Sequence, residues 1–198
     1  MIIGIDCDGV LTDLASYIFE YGEKWFKRKP DNPSGYSIRE VFNCTEKEET
    51  RFGLKYFFWY CKKWPPRENS VEIINKLNED GHELYEISAR KFVTMRTPLG
   101  LYSKVLYKRW LKKNGFRFAD IFCCAESSAP EDKLMYCRKC SVDIMIDDKP
   151  DVVLYLAEHG IRVLMFDAPY NRDVVHDNIV RVYDWVEIYD LILKEKTE

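Results

Sequence analysis

The chain lacks the features that would tie it to a membrane, a secretory route or a nucleic acid. No apolar run approaches the roughly 20 residues that span a bilayer. The N-terminus reads MIIGI, directly into a strand, with no basic region before it. There is no excess of positive charge: 30 Lys and Arg stand against 33 Asp and Glu, a net charge of −3, so no global basic field draws a nucleic-acid polymer. Seven cysteines is an odd number, which suits reduced thiols better than a disulfide framework. No internal repeat or low-complexity segment interrupts the sequence. His82, His159 and His176 show no paired spacing for metal or triad chemistry. These absences lead to the expectation of a cytoplasmic protein. At 198 residues, 46% apolar and 32% charged, the chain is long enough for one core domain with an insertion.

From about residue 67 onward, helical and strand patterns alternate. Val71, Ile74 and Leu77 repeat at helical spacing, and Asp80-Gly81 ends that segment. Strands are expected at 82–88, 119–124, 142–147 and 161–167. Helices are expected at 101–113, from Ser128 (which with Glu131 has capping-box spacing), from Lys149-Pro150 to about Glu158, and over 184–194. This alternation predicts a three-layer α/β/α fold around a mostly parallel sheet. Residues 14–66 break the rhythm with a helical stretch, the turn-rich KPDNPSGYS (29–37) and an aromatic block, but no clear strand. The expected organisation is therefore a core of 1–13 and 67–198 and a small helical cap of 14–66 inserted after the first strand.

The first strand ends in Asp6-Cys7-Asp8-Gly9, with Asp13 close behind. The strand at 142–147 ends in Asp147-Asp148. In open α/β sheets, ligands bind beyond the carboxyl ends of the strands. If these two strands are neighbours, four carboxylates converge on one crevice, where like charges repel strongly. A divalent cation resolves that repulsion. Oxygen-only ligands favour Mg²⁺, which binds through one or two carboxylates together with substrate phosphate and water. A lone Asp would read as a solvated strand end or helix cap, but two carboxylate pairs at two strand ends read as a site.

Four motifs in order, Asp6-Cys7-Asp8-Gly9-Val10, Ser88 in Ile87-Ser88-Ala89-Arg90, Lys133, and Asp147-Asp148, resemble those of the haloacid-dehalogenase superfamily of phosphotransferases. The resemblance covers nearly the whole chain. It implies Asp6 as the nucleophile that becomes an aspartyl-phosphate, and Asp8 as the acid and then the base. It further implies Gly9 for close backbone approach to the phosphoryl group, Ser88 as a donor to it, and Lys133 as positive charge for the transition state. Asp6, a backbone carbonyl at Asp8, and Asp147 or Asp148 would hold Mg²⁺.

DGVLTD, the stretch from Pro65 to Arg90, IMIDDKP and Leu164–Asn171 are similar to the 5′(3′)-deoxyribonucleotidase family, especially a bacterial branch. That likeness implies a 5′-nucleotidase acting on nucleoside monophosphates. A phosphatase for a sugar phosphate or other small metabolite is the alternative, and a non-catalytic regulatory module is the third reading. The better-known nucleotidases carry Thr-Ser-Pro where this chain has Ser88-Ala89-Arg90.

On one helix, KYFFWYCKKW (55–64) puts Tyr56, Trp59 and Tyr60 on a shared face. Most of these rings should pack the cap, and at least one should face the crevice, where it could stack on a base. Arg90 is the phosphate-side basic candidate, ahead of Lys62, Lys63 and Arg67. Cys123, Cys124, Cys137 and Cys140 could bind zinc. Adjacent strand residues point to opposite faces, however, so inert thiols are the stronger reading. The partner expected is a small phosphate ester, with no nucleic acid polymer and no membrane; a homodimer is left open.

Overall fold

The computed structural model describes residues 1–90 and 92–195. Six parallel strands form one sheet: β1 (Ile2–Ile5), β2 (Glu83–Ala89), β3 (Asp120–Cys124), β4 (Ile144–Asp147), β5 (Arg162–Phe166) and β6 (Ile179–Val182), in the order β3-β2-β1-β4-β5-β6. The chain starts in the middle of the sheet, builds outward on one side through β2 and β3, then returns to add β4 on the other flank of β1. That reversal puts a crevice at the carboxyl ends of β1 and β4. The expected adjacency of these strands holds, with Ile5 opposite Ile146 in the parallel register.

Eight helices complete the described chain: α1 (Leu14–Phe26), α2 (Ile38–Val41), α3 (Glu46–Lys63), α4 (Ser70–Glu79), α5 (Pro98–Asn114), α6 (Ala129–Cys140), α7 (Pro150–Glu158) and α8 (Trp185–Glu195). The alternating side chains of the buried strands feed two apolar cores. Ile3, Ile5, Leu84, Ile144 and Leu164 pack with α4, α5 and α8. Ile87, Met145, Val163 and Met165 pack with α6 and α7 on the opposite face. The result is the expected α/β/α layering. A short edge strand, β6, was not among the expected elements: its burial is partial and its four residues carry an Arg.

Between β1 and α4 the chain forms α1, α2 and α3 and no extended strand. These helices share a third apolar cluster, with Tyr17, Ile18, Ile38, Val41, Phe42, Phe52, Tyr60 and Trp64 packed together with Leu106 of α5. Helix α3 begins with a capping box between Thr45 and Glu48. The box expected at Ser128 and Glu131 is not formed. A single 3₁₀ turn precedes α6, and the Asp132 carboxylate takes the Ala125 N–H and the Ser128 hydroxyl instead. Among the described residues, no helix is long and apolar enough to cross a membrane.

Candidate active site

Two short polar segments end neighbouring buried strands, and this is why charged groups converge in the interior. Asp6 follows β1 and is 4% exposed, and its N–H continues the ladder to the Ile146 carbonyl at 2.9 Å. Beyond it the backbone turns tightly. The N–H groups of Val10, Leu11 and Thr12 all donate to the Cys7 carbonyl, and Gly9 adopts φ +93°. The loop is stapled from outside: Arg67 donates through Nε and a terminal nitrogen to the Gly9 carbonyl, and Trp185 Nε1 donates to the Val10 carbonyl. Asp13, third carboxylate of the motif, lies outside the cluster. It caps α1 by accepting from the Ser16 N–H and hydroxyl, and it pairs with Arg67 at 3.5 Å.

Asp6, Asp147 and Asp148 are all buried, and one carboxylate oxygen from each lies within 4.8 Å of the others. Lys133, one turn into α6 and 2% exposed, reaches between them. Its Nζ is 2.6 Å from Asp6 Oδ1 and 2.5 Å from Asp147 Oδ2. Asp147 is fully engaged, because its other oxygen accepts the N–H groups of Asp148 and Lys149. Asp148 is different. Tyr170 donates to its Oδ2, while Oδ1 is buried without a hydrogen-bond partner. Asn171 fixes the backbone here by donating to the carbonyls of Asp148 and Phe166.

The electrostatics follow from burial. Desolvation pushes the Asp6 carboxyl up to about 7; Lys133 opposes this, and Asp147 and Asp8 add to it. Burial, then Asp147 and Asp6, push Asp148 well above the ordinary carboxylate range. For Lys133, burial favours the neutral amine, but Asp147 and Asp6 outweigh it and keep it charged. Two of the three clustered carboxylates thus share one ammonium, and the third, Asp148, keeps a buried oxygen without a partner. An all-oxygen donor set short of positive charge, with an unsatisfied buried acceptor, fits a hard divalent cation such as Mg²⁺. It is the one metal-ligand cluster of this kind among the described residues. All seven cysteines are free, and none belongs to it.

The remaining expected residues divide. Ser88, at the carboxyl end of β2, is buried with its hydroxyl unpartnered. Asp8, Ala89 and Lys133 line a small cavity of about 30 Å³ together with Asp6, Tyr36, Glu126, Asp147 and Lys149. Arg90 is not in that lining. It is 3% exposed and turns onto Asp8, with Nε 2.9 Å from Oδ2. Tyr60 also reaches Asp8, donating to Oδ1 at 2.7 Å. Tyr56 and Trp59 are not brought to the crevice; they pack against Tyr21, with Trp25 beside Tyr56 and Trp64 beside Trp59.

A second cavity of about 170 Å³ opens beside Asp8, and its walls include Tyr17, Ile18, Phe52, Phe57 and Tyr60. Phe52, Phe57, Tyr36 and Tyr170 were missed in the sequence. For Phe57 and Phe52 the helical spacing was available, but the choice of crevice-facing side was not.

A family model described as "5′ nucleotidase, deoxy (Pyrimidine), cytosolic type C protein" matches residues 1–198. A nucleotidase of Clostridium acetobutylicum is 28% identical over 200 residues, covering 99% of this chain and 96% of that one. Two solved structures share the fold. The D,D-heptose 1,7-bisphosphate phosphatase of B. bronchiseptica, complexed with magnesium and phosphate, has a TM-score of 0.58 at 14% identity, covering 98% of both chains. CbbY from Rhodobacter sphaeroides, in complex with phosphate, has a TM-score of 0.60 at 12% identity, covering 94% of this chain and 95% of that one. With the match running the length of the sequence and the motif carboxylates gathered at the carboxyl ends of β1 and β4, the chain belongs to the haloacid-dehalogenase-like 5′ nucleotidase family, and it is a phosphoric monoester hydrolase.

Proposed function

We propose that the protein is a Mg²⁺-dependent 5′-nucleotidase that hydrolyses nucleoside monophosphates through an aspartyl-phosphate on Asp6. Asp6 attacks phosphorus while the bond from phosphorus to the ester oxygen breaks, and Asp8 gives that oxygen a proton. Asp8 then takes a proton from water as the water attacks the phosphorus, releasing inorganic phosphate and restoring Asp6. Lys133 places fixed positive charge beside the nucleophile. The unpartnered Ser88 hydroxyl is available to a phosphoryl oxygen. Gly9, without a β-carbon, lets the Asp148 carboxylate come up against the loop beside the nucleophile.

Asp6, Asp148 and the Asp8 carbonyl are the proposed Mg²⁺ ligands. Asp148 is favoured over Asp147 because its Oδ1 has no partner, whereas Asp147 is committed to Lys133 and two backbone amides. When bound, the cation would offset the carboxylate repulsion and bind substrate phosphate. Residues 14–66, which hold α1–α3, serve as the cap, and the rest of the chain as the catalytic core.

One observation carries the nucleotide reading: the cavity beside Asp8 is lined by the rings of Tyr17, Phe52, Phe57 and Tyr60 together with the polar Ser37, Glu49 and Glu126. A nucleoside leaving group matches that mixed lining, its base against the rings and its sugar hydroxyls on the polar groups, whereas a sugar phosphate has nothing to place against the rings. The test is kcat/KM for a panel of nucleoside monophosphates and sugar phosphates, with Mg²⁺ and with excess EDTA. Nucleotides should lead, and the chelator should remove activity reversibly. Preference for sugar phosphates, or full activity in chelator, would reject the reading.

A further inference from the structure

The Asp8 carboxylate is held from two sides by groups of different origin. Arg90, at the end of β2, donates to Oδ2 at 2.9 Å. Its guanidinium is buried over the Tyr107 ring at 4.4 Å and near the Tyr60 ring at 5.4 Å. Tyr60, 52 residues from Asp8 on helix α3, donates to Oδ1 at 2.7 Å. The Tyr60 hydroxyl also lies 2.6 Å from Thr12 Oγ1, and Thr12 Oγ1 donates to the Cys7 carbonyl at 3.1 Å.

A guanidinium only donates, whereas a hydroxyl both donates and accepts. The charged donor on Oδ2 therefore favours leaving that oxygen as the acceptor and placing a proton on the other, which faces Tyr60. With Asp8 ionised, Tyr60 donates to Oδ1. With Asp8 protonated, Oδ1–H donates to Tyr60, Tyr60 to Thr12, and Thr12 to the Cys7 carbonyl. One chain of hydroxyls satisfies both forms by reversing its hydrogens. Asp8 and Tyr60 both line the cavity of about 170 Å³, so the contact between them lies where a leaving group would sit.

We propose that Tyr60 is a positioning residue for the acid step. Together with Arg90 it aims the Asp8 carboxyl, and it makes the chemistry of the core depend on where α3 sits. This rests on the reading of Asp8 as the general acid.

The test separates the two readings by varying the leaving group. Phenyl phosphates of one shape but different ring substituents, from p-nitrophenyl to unsubstituted phenyl, are compared by single-turnover phenol release, which follows attack by Asp6. A good leaving group needs little proton donation, and a basic one needs much. Asp8→Asn should lose most on phenyl phosphate and least on p-nitrophenyl phosphate. Tyr60→Phe keeps the ring packed 4.4 Å from Tyr17. It should show the same trend, with about tenfold more loss on phenyl than on p-nitrophenyl phosphate. Thr12→Val, which leaves Tyr60 and Asp8 in place, should lean the same way, and Thr12→Ser should keep the parental profile. Should Tyr60→Phe unfold, the Thr12 pair decides the matter alone. Equal losses on all substrates for Tyr60→Phe and Thr12→Val, with a steep Asp8→Asn, would overturn this proposal alone. A flat Asp8→Asn would overturn the acid assignment and this proposal with it.

Discussion

Gly9 packs directly against Asp148: a β-carbon at position 9 would stand 2.0 Å from Asp148 Oδ2. No side chain therefore fits between the loop after β1 and the carboxylate after β4, and the contact sets how closely the two carboxylate pairs approach. Gly9 also has φ +93°, a region that L side chains rarely adopt. Gly9→Ala should then cost about 1–3 kcal/mol of stability from backbone strain and the displaced carboxylate. Turnover should fall by about 100-fold, the scale of a misplacement near 1 Å. Urea denaturation and kcat measured on the same preparation check both. Parental kcat would mean that the approach of these segments is irrelevant to the chemistry.

The Lys133 ammonium is shared by Asp6 and Asp147, so the two sides of this bridge should respond oppositely to substitution. Lys133→Met leaves buried carboxylates without that cation and should destabilise the metal-free protein by about 3–5 kcal/mol. Asp6→Asn instead removes one of the crowded negative charges and leaves Lys133 paired with Asp147. It should abolish turnover while its melting temperature stays level or rises. Thermal melts in EDTA distinguish the two variants. A large stability loss in Asp6→Asn would mean that the Asp6–Lys133 pair stabilises the fold more than the clustered charges oppose it.

Glu86 gives a pH prediction outside the carboxylate cluster. It lies in the middle of β2, fully buried, and burial raises its carboxyl from 4.5 to about 8; the Tyr107 hydroxyl opposes this and Asp6 adds to it. The folded protein therefore holds a proton that the unfolded chain releases near pH 4.5. Between about pH 4.5 and 8 the native state binds more protons, so stability falls as pH rises through that window. Asp6 slopes the same way. Glu86→Gln stays neutral at every pH and should be more stable than the parent at about pH 9, with little difference at about pH 4.5. Denaturation midpoints of both proteins at the two pH values, in EDTA, give the comparison. Identical pH slopes would show that Glu86 is ionised in the fold.

What could be read in the sequence was chemistry that has no cheap structural explanation. Paired carboxylates after apolar strands demand a site, and Asp6 and Asp147 do end adjacent strands. Local spacing also placed α7 over Pro150–Glu158. The unread parts depend on distant segments. Asp13 matched the motif by position yet serves its own helix, through Ser16. Arg90 sits beside Ser88 in sequence, but the bend after β2 turns it onto Asp8 instead of the cavity around Asp6. Tyr170 reaches Asp148 across 22 residues of helix, strand and loop, a contact no periodicity signals. Edge strand β6, Ile179–Val182, is β-branched at three of its four positions but too short to set a period that separates it from a loop.

The rings of α3 decide the last prediction. A helix places residues 56, 59 and 60 on one side, but periodicity does not say which side faces the crevice. In the fold, Tyr56 and Trp59 turn to Tyr21 and the α1 side, while Phe57 and Phe52 line the cavity next to Asp8. Phe57 also meets the Phe92 ring edge-on at 5.1 Å, on the loop after β2. If the cavity holds the nucleobase, Phe57→Ala should reduce kcat/KM for a nucleoside monophosphate by about 5- to 150-fold, the value of one stacking contact of about 1–3 kcal/mol. The same variant should leave acetyl phosphate within a few fold, since that substrate has no ring to place there. Trp59→Ala should lower the melting temperature through lost packing and shift both substrates alike. Comparing the two substrates within each variant cancels any general loss of folded enzyme. Equal effects of Phe57→Ala on both substrates would make this ring cap packing and withdraw its support for a nucleotide, moving the sugar-phosphate reading ahead.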